Sequence, residues 1–507
     1  MKAHLLFRDR DFDLQQKLPP NEEALTQDLE LTTLFNAMAL GDEFLLKVAK
    51  QTVLSSLNDL DTILYRQNIL NDCLRNPSVV RDIYGIAVES IAKERKNYWG
   101  LSTHDYPEWI LRRSTEVMRM FVGMLTRLRA IADEHGHEFG SEGFTTLFAV
   151  LNRELSDEYF AVVENHLREL QFRGGVLVSA ELGQGNKGTN FVLRRSEVKL
   201  SWIEQLLGKG PPAYTFTIAD RDESGAKALG ELRDRGIDLA ANALAQSNDH
   251  ILSFFNMLRT ELAFYVGCLN LHGQLALKRV PMCFPVPVAA GERKHSFAGL
   301  YDACLALTTE QRVVGNEVSA DDKDLVMITG ANQGGKSTFL RSIGLSQLMM
   351  QCGMFVPAEA FCSNVCDGLF THYKREEDVT MKSGKFDEEL SRMSGIVDNI
   401  RPNSMLLFNE SFAATNEREG SEIAGQIVRA LLEKRIKVFF VTHMYEFAHG
   451  FYDRRMGNAI YLRAERQADG RRTFKLIEGE PLQTSYGVDL YDQVFGNDNG
   501  HLTTTPS

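Results

Sequence analysis

The 507-residue sequence has no apolar run of about 18 residues, so nothing in it reads as a membrane-spanning helix. Its opening, MKAHLLFRDRDFDLQQ, offers a three-residue apolar patch among charged side chains, which is not a secretory signal. Cysteine is scarce: there are seven, with no C-x-x-C pair. The closest two, Cys362 and Cys366, have no nearby histidine to complete four ligands. This argues against a zinc site and leaves the thiols as buried groups in a reducing cytoplasm. Excess positive charge is also missing. A formal net charge of −12 argues against adhesion to nucleic acid over the whole surface and leaves room only for a local basic patch. There is no internal repeat and no low-complexity tract. What remains is an ordinary globular composition, 44% apolar and 24% charged, long enough for two to four domains.

The text divides by pattern. After an N-terminal extension (1–21), residues 22–171 are helical, with few glycines. Leu54, Leu57, Leu60 and Leu64 recur at helix spacing, followed by Ile69, Cys73 and Leu74. Asn76-Pro77 supplies a cap and a first-position proline for a new helix through Val79, Val80 and Ile83. Residues 172–222 form a small β insertion of three expected strands: GVLVSAELG and NFVLRR around the turn QGNKGT, then AYTFTI. Helical text returns over 223–299, closing with the proline-rich VPMCFPVPV. From 300 to 495, strands LVMI (325–328), MLLF (405–408) and VFFV (438–441) alternate with amphipathic helices. In the helix near 421–434, Ile423, Ile427, Ala430 and Leu431 fall on one stripe. Such alternation implies a parallel sheet covered on both faces. The tail (496–507) is expected to be disordered.

The chemistry begins at LVMITGANQGGKST. Gly330, four residues, then Gly335-Lys336-Ser337 is the phosphate-binding loop pattern, set between a strand and a helix as the mechanism requires. Its glycines let backbone N–H groups curl around phosphate oxygens at a helix N-terminus. Gly330, Asn332, Gly334, Gly335, Lys336, Ser337 and Thr338 are therefore the candidate ATP-binding residues. Lys336 is placed to reach the β/γ-phosphates and Ser337 to offer its hydroxyl to Mg²⁺. The strand MLLF ends on Asn409-Glu410, where nucleotide hydrolases usually carry Asp-Glu.

GANQGGKSTFLRS, QCGMFVPAEAF, DGLFTHYKREEDVTMKSGKFDEELSRM, LLFNESFAATNEREG, VFFVTHMYEFA and TSYGVDLYDQVFG resemble, in order and spacing, the ATPase domain of MutS proteins, the dimeric clamps of DNA mismatch repair and recombination. The resemblance is strong over about 300–495 and weaker over 22–280. It implies an α/β P-loop (ABC-class) ATPase domain at the C-terminus, preceded by a mainly α-helical lever and core with a small β insertion. It also implies a cytoplasmic homodimer using ATP and Mg²⁺, with DNA and possible repair or recombination proteins as partners and no membrane. Glu410 takes the role of general base or water positioner, His443 of γ-phosphate sensor, and Lys336 of phosphate ligand. Asn316 falls near the adenine pocket, although Val313 and Val314 stand where a stacking aromatic is expected.

Three departures qualify the resemblance. Asn409 keeps an acceptor oxygen but lacks the charge that helps hold Mg²⁺, so the expectation is weaker metal binding through Ser337 and Asn409, directly or through water, and slow hydrolysis. The signature loop that reaches the partner's γ-phosphate reads Ser383-Gly384-Lys385 where the family has a Ser-Thr pair, and Lys385 could supply charge in trans. About twenty residues precede the first helix, too few for the family's mismatch-reading domain, so wedge-type mismatch reading is not expected. DNA contact is expected on the β insertion, where Lys187, Arg194, Arg195 and Lys199 are the candidates. Two rivals stay open: an ATP-binding adaptor that dimerises without significant hydrolysis, and a transporter ATPase subunit, which the missing Leu-Ser-Gly-Gly-Gln signature opposes.

Overall fold

A computed structural model of the chain describes residues 1–98, 107–172, 175–195, 215–331, 333–375, 384–467 and 472–482. The chain divides into two compact units. Met1–Ala3, Ser78–Gly140 and Phe144–Arg259 form one; His4–Pro77, Ser141–Gly143 and Thr260–Ser507 form the other. The helix Glu223–Leu277 serves both, changing unit after Arg259.

The first unit is built from long helices and one hairpin. A helix starts at Pro77, where the missing N–H costs nothing, and runs to Tyr98. Pro107–His135, Glu142–Glu154 and Asp157–Glu169 follow, and Phe121 stacks on Phe255 with ring centroids 5.8 Å apart. Strands β1 (Val178–Leu182) and β2 (Gly188–Leu193) pair antiparallel, Val178 opposite Leu193. Leu193, Leu170 and Phe172 pack on a small core of Leu111, Ile237 and Ala241. Of the expected third strand, AYTFTI, the described residues 215–218 carry no strand, and Phe216 is 79% exposed. Alternation makes a segment able to pair, but a strand needs a neighbouring edge, and among the described residues this sheet has two strands.

In the second unit, short helices Glu22–Asp28, Leu31–Ala39, Glu43–Leu54 and Leu60–Arg75 come first. The leucines at 54, 57, 60 and 64 do not share a helix. One helix ends at Leu54 and the next begins at Leu60, where the Asp59 carboxylate accepts a hydrogen bond from the Thr62 N–H at 2.9 Å. The capping aspartate overrides the periodicity.

Two sheets follow. β3 (Val286–Val288), β4 (His295–Leu300), β5 (Asn316–Ser319) and β7 (Ala360–Asn364) form a four-stranded sheet in the order β3-β7-β4-β5. β6 (Leu325–Thr329), β8 (Leu369–Tyr373), β9 (Met405–Asn409), β10 (Lys437–Val441), β11 (Ala459–Arg466) and β12 (Arg472–Glu478) form a six-stranded sheet. Its order is β12-β11-β6-β10-β9-β8, parallel throughout except for β12 at one edge. Every residue of β6, β8 and β10 is buried, as in a parallel sheet covered on both faces.

The helix Glu417–Glu433 lies on this sheet, turned by one residue from the expected stripe. Ala424, Val428 and Leu431 are in the core, Ile423 and Ile427 only flank it, and Ala430 is exposed. Small residues set the contact: a Cβ on Gly420 would lie 2.4 Å from the carbonyl oxygen of Phe412, so the face that packs is the one that can approach closely. The helix Lys336–Gln351 is buried along most of its length, including its glutamines. Gln351 Nε2 donates to the Leu57 carbonyl at 2.6 Å, its Oε1 accepts from Cys366 N at 3.0 Å, and Gln347 Nε2 donates to the Asn364 carbonyl at 2.9 Å. These bonds satisfy amides that would otherwise be costly to bury, and they fix the helix whose other end forms the phosphate loop.

Lys437, the first residue of β10, is 2% exposed, and among the described residues its Nζ donates one long bond, 3.4 Å, to the Arg293 carbonyl. Burial pushes its ammonium down to about 7, with Arg293 adding to the effect and Asp321 and Asp322 opposing it. The unfolded lysine titrates near 10.4, so between about pH 7 and 10.4 the unfolded chain binds more protons and stability rises with pH. Lys437→Met is expected to raise the urea unfolding midpoint at pH 7, with the gain narrowing toward pH 10. A gain of equal size at both pH values would mean that the lysine carries no buried-charge penalty.

Candidate nucleotide site

Three parallel strands bring the candidate residues to one edge. β10 lies between β6 and β9, and Val441 is in register with Ile328 on one side and Asn409 on the other. The phosphate loop, His443 and Asn409-Glu410 therefore emerge side by side from the carboxyl ends of neighbouring strands, about 5 Å apart per strand.

The loop turns sharply out of β6. Gly330 has φ +116°, and a Cβ there would lie 2.9 Å from the Ala464 nitrogen of β11. Gly335, φ +85°, is the residue before the helix and gives it no side-chain cap. The first N–H groups of that helix consequently face the loop without intrahelical partners. Lys336 is buried, and its Nζ donates to the carbonyls of Gly330 and Ala331 at 2.8 and 2.9 Å. Burial lowers its pKa, and the carboxylate of Glu410 acts against that shift. Asn332 lies outside the described residues.

Ser337 and Asn409, 72 positions apart, meet: the Ser337 hydroxyl donates to Asn409 Oδ1 at 3.0 Å. Ser337 is exposed and Asn409 half-buried, so two neutral oxygen donors face the loop together. Oxygen donors suit Mg²⁺, which keeps several waters and takes its charge partners from phosphate, and the pair fits that role. Glu410 continues the ladder by donating its N–H to the Val441 carbonyl at 2.9 Å, then turns the chain with φ +54°. His443 is exposed just beyond β10, after the buried Thr442, whose N–H bonds the Ile328 carbonyl at 3.0 Å.

Beside the loop is a cavity of about 280 Å³ lined by Leu305, Val313, Val314, Thr338, Phe339 and Phe474, among others. Asn316 borders it, but its amide is engaged: Nδ2 donates to the Phe474 carbonyl at 3.3 Å and Oδ1 accepts from Leu476 N at 2.8 Å. Phe474, 48% exposed, supplies the aromatic face that the sequence around Asn316 lacks. Sequence reasoning missed it because it stands 158 positions away, and only the pairing of β12 with β11 brings it to the loop.

Of the signature residues, Gly384 is exposed and precedes the helix Lys385–Asn399, in which Lys385 is half-buried; Ser383 lies outside the described residues. In the hairpin of the first unit, Lys187 is exposed in the turn. Arg194 Nε donates to Ser179 Oγ at 2.8 Å, and Arg195 is ion-paired with Glu169 at 2.5 Å. Lys199 lies outside the described residues. The free positive charge of the described hairpin is therefore smaller than a count of its residues suggests.

Gly330→Val is expected to destabilise the protein by about 1–3 kcal/mol and to abolish nucleotide binding, because a β-branched residue is strained at that φ. Thermal unfolding and titration with a fluorescent ATP analogue check this; an unchanged melting temperature with intact binding would contradict the loop geometry.

Two family models match the chain: MutS2 N-terminal domain over residues 58–278, and MutS domain V over residues 326–496. Among curated proteins, the MutS protein homolog 4 of Mus musculus is 31% identical over 302 residues, 56% of this chain and 30% of the relative. The DNA mismatch repair protein MutS of Clostridium kluyveri is 27% identical over 287 residues, 55% and 32% of the two chains. That of Thermus aquaticus is 34% identical over 168 residues, 33% and 20%. The chain thus spans less than a third of the length of these relatives. With both family models matched in sequence, and the loop, Asn409-Glu410 and His443 gathered at one sheet edge, the chain is similar to MutS proteins in both of its matched stretches.

Proposed function

We propose that the chain is an ATP-dependent, DNA-binding clamp of the MutS type that acts as a homodimer and hydrolyses ATP slowly. The observation that carries this reading is the contact of Ser337 with Asn409 at the carboxyl ends of adjacent parallel strands, with Glu410 next in the chain. In this reading Lys336 exchanges the Gly330 and Ala331 carbonyls for β/γ-phosphate oxygens, and the N–H groups at the start of its helix bind the phosphates. Ser337 and Asn409 are the residues that would hold Mg²⁺, which when bound would supply neutralisation of the phosphate charge. Glu410 orients the attacking water and His443 contacts the γ-phosphate side. Phe474 stacks on the base.

The helix beginning at Gly384-Lys385 would face the partner's phosphate, making each site a product of two subunits. The hairpin bearing Lys187 and Arg194 is the proposed DNA contact, a phosphate interaction weakened by salt. The reading of the family domain as a C-terminal ABC-class ATPase after a helical lever belongs to the same proposal. Asn409 favours a second reading, an adaptor that binds ATP and dimerises without turnover, since the metal loses a charged partner there.

Steady-state Mg²⁺-ATP turnover, measured for the wild type and Glu410→Gln with and without linear and branched duplex DNA, separates the two. The clamp reading expects DNA-responsive turnover that falls at least about a hundredfold in the variant. Equal background rates in both proteins, with ATP still bound, would establish the adaptor. Phe474→Ala is expected to raise the KM for ATP about tenfold with kcat nearly unchanged, as loss of one stacking face costs about 1–2 kcal/mol. An unchanged KM would place the base elsewhere.

A further inference from the structure

The turn after β9 is held in a demanding conformation. Glu410 and Phe412 both have left-handed backbones, φ +54° and +63°, which bulky L-residues rarely adopt without support. Between them Ser411 is fully buried, its hydroxyl 2.8 Å from Nδ1 and 2.5 Å from the carbonyl oxygen of His372 on β8. The Phe412 ring is fully buried and stacks on the His372 ring at 5.2 Å.

The remaining support comes from one residue of the helix Lys385–Asn399. Glu389 Oε2 accepts the Phe412 N–H at 2.9 Å, and its carbonyl oxygen lies 3.0 Å from His372 Nε2. Burial pushes His372 down to about 4, so its ring is neutral near pH 7. Nε2 faces a carbonyl oxygen, so it carries the ring proton and donates it to the Glu389 carbonyl, while the one Ser411 hydroxyl proton is donated to the His372 carbonyl. Glu389 is 3% exposed, and burial raises its pKa. A carboxylate is costly to bury, and a residue that only filled space there would be apolar.

We propose that Glu389 is a positioning residue for hydrolysis: by fixing the Phe412 N–H it holds the turn that aims Glu410. It sits one helical turn beyond Lys385, the first residue of the same helix. A displacement of the helix start by a partner's phosphate would therefore reach the Glu410 turn through Glu389, by its carboxylate on the Phe412 N–H and its carbonyl on His372. The inference rests on the reading of Glu410 as the water-orienting residue, and the test keeps the two apart.

The full-length protein is compared with Glu389→Gln, which keeps an acceptor oxygen, and Glu389→Met, which keeps the volume and removes the acceptor. Ser411→Ala is a milder second variant should Glu389→Met fail to fold. Amide hydrogen exchange in peptides covering 405–416 and Mg²⁺-ATP kinetics are both read. Glu389→Met is expected to speed exchange at Phe412 and lower kcat, each about tenfold, with KM and nucleotide affinity within about twofold. Glu389→Gln stays within about threefold of wild type, and Ser411→Ala falls between.

Unchanged exchange in Glu389→Met, or a kcat loss in Glu389→Gln as large as in Glu389→Met, would overturn the proposal. So would wild-type exchange in Ser411→Ala, should that variant have to stand in for Glu389→Met. If the wild type binds ATP but does not turn it over, the hydrolytic reading of Glu410 fails, and the exchange data alone decide whether Glu389 holds the turn.

Discussion

The register of β6, β10 and β9 is the constraint on which the nucleotide site depends. Parallel pairing fixes which residues end level with one another, and Ile328, Val441 and Asn409 share a row. A slip of one residue would swap every side chain to the opposite face and separate Ser337 from Asn409. What holds the register is apolar burial on both faces, with Phe408 and Phe440 stacked at 4.7 Å and both fully buried. The strand core and the polar edge are thus one object: the first sets the alignment that the second uses.

Behind the site, a buried polar network ties residues 4–12 to the same unit. The Glu261 carboxylate accepts the N–H groups of Leu5 at 2.5 Å and Phe12 at 3.2 Å, and the Tyr265 hydroxyl donates to the Leu5 carbonyl at 2.5 Å. Arg66, fully buried, donates to the Leu6 carbonyl at 2.9 Å and to the carbonyl of Cys352, the residue that ends the phosphate-loop helix, at 3.4 Å. Burial pushes Glu261 up to about 7, which marks how strongly this pocket disfavours an isolated charge. The N-terminal segment and the far end of the phosphate-loop helix therefore share one arginine.

Asn409 gives the site its character. A carboxylate at that position would bring a second negative charge beside Glu410; the amide keeps the geometry, as its bond to Ser337 shows, and removes the charge. Of the two neighbours, one presents a neutral oxygen to the hydroxyl of Ser337 and the other is a carboxylate. The cavity beside the loop is lined by Val313 and Val314 together with Phe474, whose ring is about half exposed.

The sequence by itself determined what depends on local order. The glycines and lysine of the phosphate loop, the apolar runs of β6, β9 and β10, the Pro77 helix start and the family's motif order were all legible, because each is encoded within a few adjacent residues. Tertiary structure decided what depends on approach between distant segments. Phe474 reached the cavity through strand pairing, and Asn316 was turned to the backbone of β12. The helix 417–433 rotated so that small residues could meet the sheet, and Glu389 came under the N–H of Phe412. Periodicity reports which residues are apolar but not how closely a neighbour can come, and that distance is set only when the elements pack.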